Sequence, residues 1–106
     1  MNLPAPEETL ADCCWLPRLS AKARALMEGT LPRSYRLAFG SLIGVDGYFL
    51  RHFQISRKEL LSTVEATASD EELAHWFLAQ PEVTAASIAE WNEMHPSLAR
   101  NNTPAV

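Results

Sequence analysis

From Glu59 to Ala99 the chain contains neither lysine nor arginine. A general nucleic-acid surface needs clustered cations to neutralise phosphates, and the net charge of −4 argues against one. Cysteine is scarce as well. Cys13 and Cys14 are the only two and they are adjacent, so they can bridge only through a strained small ring. No disulfide framework follows, and reduced thiols are expected. Long hydrophobic runs are missing: the longest mostly apolar segment, 37–50, is broken by Asp46 and is too short to cross a bilayer. The opening MNLPAPEETL has no basic and apolar regions of a secretory signal. A soluble, cytoplasmic protein is the expectation. Gly-rich phosphate loops, G-x-S-x-G, H-E-x-x-H and basic-aromatic strand patterns are all absent.

What is present suits a packed globule. A chain of 106 residues with 47% apolar content has room for one domain and enough material for its core without metal or disulfide staples. Charge is divided unevenly along it. Residues 1–58 hold eight cations and five acids (+3), whereas residues 59–106 hold one cation and eight acids (−7). Such polarity steers charged partners when the fold keeps the halves apart.

Local signals predict helices throughout. Residues 1–6, with two prolines, should be extended, and early acids predict a short first helix from Glu7 that stops by Leu16, before Pro17. Pro17 suits the first turn of a second helix, which Gly29 ends. A loop and a short helix are expected over 30–44. Asp46 reads as the cap of a helix through Phe53. Ser56 with Glu59, and Ser69 with Glu72, form two capping boxes that open helices. Thr84 can cap a last helix, which should stop before Pro96. No segment sustains period-two alternation. The prediction is an all-α fold: a single compact domain of five or six short helices over 7–96, an extended segment 1–6 and a flexible tail 97–106.

Four segments, WLPRLSAKARALMEGTL (15–31), GVDGYFLRHF (44–53), SDEELAHWF (69–77) and IAEWN (88–92), together resemble a bacterial family of small proteins known as a domain of unknown function, numbered fifty sixty-nine. The resemblance spans about Glu8 to Trp91 and is densest at Leu16-Pro17-Arg18, Lys22, Arg24-Ala25 and Gly29-Thr30-Leu31. This chain departs from the family pattern at Ala21, where an acid usually stands, and over PRSYRLAFGS. The resemblance implies a small helical bacterial protein and carries no activity with it.

Several residues can carry chemistry. Arg18 and Lys22 lie four apart, about 40° apart on a helix, so both can reach one anion. Their alternative role is pairing with acids of another helix. Arg24 stands four before Glu28, the spacing of an intrahelical ion pair. Cys13 and Cys14 are candidate thiol nucleophiles if a positive field lowers their pKa, and candidate core residues otherwise. Trp15, beside the Leu-Pro break, is placed to line a groove, while Trp76 and Trp91 fit a core. Tyr48 and His52 share a helix face and can add a polar wall or a proton carrier. Glu72 and His75 form a lone E-x-x-H pair, and without a second copy no metal site is expected.

These features point first to a non-catalytic module with a groove at Trp15, Arg18, Lys22, Tyr48 and His52 for a partner protein or a small anionic ligand. The alternative is a small enzyme in which Arg18 and Lys22 clamp an acidic substrate and Cys13, Cys14 or His52 reacts. A structural homodimer is the third reading. No cofactor, nucleic acid or membrane partner is expected, and the protein is read as a monomer or homodimer.

Overall fold

In the computed structural model, residues 3–39 and 44–102 are described. They form a hairpin of two short strands, β1 (Thr9–Leu10) and β2 (Cys13–Cys14), followed by six helices. The helices are α1 (Leu16–Glu28), α2 (Arg33–Ala38), α3 (Val45–His52), α4 (Arg57–Ala66), α5 (Asp70–Leu78) and α6 (Ala85–Asn102).

The hairpin replaces the helix expected from Glu7. Thr9 pairs with Cys14 and Leu10 with Cys13 in antiparallel register. Ala11 and Asp12 turn the chain with φ of 55° and 60°, the positive values that a two-residue primed turn demands. Trp15, also left-handed at φ 74°, then redirects the chain into α1. Acids at Glu7 and Glu8 favour a helix start only weakly, and the segment before Pro17 is too short to nucleate one alone. Partners from α6 decide the outcome, as described below.

Pro17 occupies the first turn of α1, and Gly29 ends that helix at φ 77°. The amide of Gly29 donates to Leu26 O and that of Thr30 to Ala25 O, the paired bonds of a Schellman cap. Ser56 and Glu59 form a full capping box on α4. Ser69 accepts from the Glu72 amide, but the Glu72 carboxylate takes the Ala68 amide rather than that of Ser69. Thr84 Oγ1 accepts from the Ser87 amide and so caps α6.

Two helix ends differ from expectation. Asp46 does not cap α3; Gly44 does, and Asp46 lies in the first turn with its side chain inside the fold. The last helix runs through Pro96 to Asn102, so residues 97–102 are helical. One lost hydrogen bond did not suffice to end an already established helix.

The core is aromatic. Phe49 of α3 meets Phe53 at 4.8 Å, Phe77 of α5 at 5.8 Å and Trp91 of α6 at 5.1 Å between centroids, the last nearly edge-on at 88°. Offset and edge-to-face geometry adds to the burial of these large rings. Leu16 and Leu19 of α1, Leu60 of α4 and Leu73 of α5 are also fully buried. Among the described residues, no helix is long and apolar enough to cross a membrane.

Candidate functional site

Two of the five residues expected to bind a ligand, Trp15 and Lys22, do converge, but on a carboxylate of the same chain. Lys22, 6% exposed, donates to both oxygens of Asp46, 2% exposed, at 3.3 and 3.2 Å. Trp15 Nε1 donates to Asp46 Oδ1 at 2.8 Å. The Lys22 ammonium also lies 4.9 Å from the Trp15 ring and 5.6 Å from that of Tyr35, where ring quadrupoles attract it. Burial pulls the Lys22 pKa below its ordinary value; Asp46 opposes that shift, and Arg18 adds a little to it.

The expected anion clamp is therefore not formed. Lys22 spends its charge on Asp46 of α3, which is the interhelical pairing weighed against the clamp. Arg18 turns its Nη1 to the carbonyl of Pro4 at 3.1 Å, with its guanidinium 5.4 Å from the Trp15 ring. Its Nε has no partner among the described residues. Trp15, expected to line a groove, is 4% exposed. Arg24 reaches Asp70 of α5 at 3.7 Å and the carbonyl of Thr67 at 3.2 Å rather than Glu28.

Tyr48 and His52 have their partners elsewhere. Tyr48 is half-buried beneath the Arg51 guanidinium, 4.8 Å away. His52 faces α6, where its Nε2 donates to the carbonyl of Ser87 at 2.8 Å and its ring lies 5.8 Å from Trp91. A carbonyl only accepts, so that nitrogen carries the proton.

Both thiols are held in the protonated form. Burial, with help from neighbouring Cys14, pushes the Cys13 thiol up to about 12. The Cys14 thiol is also raised, by burial first and then by Glu7. A nucleophilic thiol needs the opposite shift. Among the described residues, no three His, Cys, Asp or Glu side chains cluster to hold a metal.

Open space is found elsewhere. Trp91 Nε1 donates to the carbonyl of Cys14 at 2.8 Å. Beside it, Asn92 accepts the Cys14 amide at 2.9 Å and donates to the carbonyl of Asp12 at 2.8 Å. These bonds lock the hairpin onto α6 and satisfy backbone groups that the two-residue strands leave open.

The hairpin tip then overhangs a groove of about 600 Å³. Ala11 and Asp12 form one wall, Leu78 of α5 and the turn residues Val83 and Thr84 another, and Ala85, Ile88, Ala89 and Asn92 the floor. The floor residues follow helical spacing, and the two alanines leave the hollow. Leu78 is 52% exposed there. The only charged residue in the lining is Asp12. Sequence reasoning missed this site. The stripe of Ala85, Ile88, Ala89 and Asn92 was a legible signal, but the hairpin opposite it was not.

Hairpin, capped helices and aromatic core define a small, mainly helical domain with one wall of α6 left uncovered by helix. The chain belongs to the family described as Domain of unknown function (DUF5069), whose model matches residues 2–105. No curated protein and no solved structure matches it.

Proposed function

We propose that this protein is a non-catalytic interaction module whose groove between the hairpin and α6 receives an apolar segment flanked by lysine or arginine from a partner protein. The observation that carries this reading is the pairing of an apolar floor with surroundings of one sign. Residues 7–14 and 70–94, which hold the whole lining of the groove, carry nine acids and no lysine or arginine, and the one cation of α6, Arg100, stands two turns beyond Asn92. An apolar side chain entering it gains from burial, and flanking cations gain from the acidic field. The anionic-ligand reading loses ground because Lys22 is already neutralised by Asp46. Thiol chemistry loses ground because both cysteines are shifted away from the thiolate.

Fluorescence anisotropy with two labelled helical peptides, one built of Leu and Lys and one of Leu and Glu, tests the proposal. The Leu/Lys peptide should bind. Leu78→Ser, which removes apolar surface without changing charge, should weaken it about tenfold, equivalent to roughly 1.4 kcal/mol. Equal binding of both peptides, or no effect of Leu78→Ser, would remove the groove from consideration.

A further inference from the structure

The opposite charge is concentrated in another stretch of the chain. Residues 30–58 contain Arg33, Arg36, Arg51, Arg57 and Lys58, all exposed, against a single acid, Asp46. Folding withdraws that acid from the surface, because Asp46 is 2% exposed and matched by Lys22. The Arg57 guanidinium lies 5.4 Å from the Phe39 ring. That contact brings the first turn of α4 against the end of α2, where Arg36 stands one turn before Phe39. The nearest acid in sequence, Glu59, is folded back onto the Ser56 amide at 3.2 Å. A cationic corner remains, made from the end of α2 and the start of α4.

We infer that this corner docks on the acidic α5–α6 and hairpin face of a second copy of the chain, joining molecules head to tail. The acids of that face are exposed, Asp70 meets Arg24, and no lysine or arginine lies in residues 7–14 or 70–94, Arg100 standing near the C-terminal end of α6. The chain thus carries both halves of a complementary pair.

Nucleic acid fits less well. The net charge of −4 repels a polyanion at long range, and the Phe39 ring is covered by a guanidinium rather than open to a base. A lipid surface also fits less well. The large apolar side chains exposed among the described residues are Met27, Leu78 and Met94, none of them in the corner. The contact is electrostatic and does not depend on what fills the groove.

Because two different surfaces meet, the association need not close, and mass should grow with concentration. Sedimentation of the full chain tests this at about 20 mM and about 300 mM salt, concentrations on either side of the ~10 Å screening length reached near 0.1 M. The wild type should exceed monomer mass at low salt and return to monomer at high salt. Arg57→Gln with Lys58→Gln, and separately Glu90→Gln with Glu93→Gln, should each remain monomeric with unchanged circular dichroism. An equimolar mixture of these two variants should restore a two-chain species, since one keeps the acidic face and the other the basic corner. Leu78→Ser should still associate, so that loss of peptide binding and loss of self-association are separable.

A wild type that stays monomeric at low salt would overturn the inference. So would association that both charge variants retain, or a mixture that fails to pair. Binding of a single-stranded oligonucleotide that Arg57→Gln with Lys58→Gln abolishes, in a wild type that does not self-associate, would assign the corner to nucleic acid instead.

Discussion

The α1–α3 junction and the hairpin–α6 junction are both built around polar side chains, yet they do opposite things with the space between elements. At the first, Trp15, Lys22 and Asp46 turn inward and satisfy one another, so the charged residues most suggestive of a site serve the interior. At the second, Trp91 and Asn92 are used up holding backbone, and small apolar residues beside them leave a hollow facing outward. A cluster of chemically versatile residues is therefore no guide to open space. Exposure and unmatched chemistry are better ones.

The contrast can be broken most forcefully at Asp46. Asp46→Ala leaves the Lys22 ammonium buried without its counter-charge, and urea unfolding should show a loss of about 3–5 kcal/mol. Replacing both partners, Lys22→Met with Asp46→Leu, should recover much of that loss, because neither charge is then desolvated. A cost below about 1 kcal/mol for Asp46→Ala, typical of solvated pairs, would mean that water reaches the junction and would reopen it as a ligand site.

A smaller effect is expected at the other junction. Asn92→Ala removes the partners of the Cys14 amide and the Asp12 carbonyl, at a cost of about 1–3 kcal/mol. Hydrogen exchange at the Cys14 amide should rise while amides of α4 and α5 stay protected. Uniform acceleration over all helices would show that the hairpin is part of the global core rather than a clamped flap.

The smallest effect concerns pH. The Cys13 thiol is raised to about 12 from 9.0, so the folded state keeps its proton where the unfolded chain releases it. Its stabilising contribution is complete below the ordinary thiol value and is lost as pH rises from about 9 towards 12. One pH unit into that window the loss is roughly 1 kcal/mol. Lys22, lowered in the fold, works in the other direction and gains stability as pH rises, so the Cys13 effect must be read as a difference. Thermal midpoints of wild type and Cys13→Ala should converge as pH rises through this range. Parallel curves would show that Cys13 is not buried as a thiol.

What was readable in advance was local. Ser56 with Glu59, Ser69 with the Glu72 amide, Thr84 before α6 and Gly29 after α1 all act within a few residues of themselves, so their spacing alone announces the helix ends. The same reasoning misplaced the first element, because the bonds that make a hairpin of residues 9–14 come from side chains 77 to 80 positions away. It also assigned Asp46 to a cap, where its local preference lies, although a lysine of α1 and the indole just before that helix offered it more. Arg24 and Glu28 had the right spacing to pair, but Asp70 of α5 is the acid that Arg24 meets.

Sequence by itself determined that the chain would be a single mainly helical domain, where most of its helices begin and end, and that its charge would be divided between its halves, since each depends on composition or on neighbours along the chain. Tertiary structure alone decided which charges cancel inside and where a hollow stays open. Those outcomes depend on distances between residues far apart in sequence, and no local pattern encodes such distances.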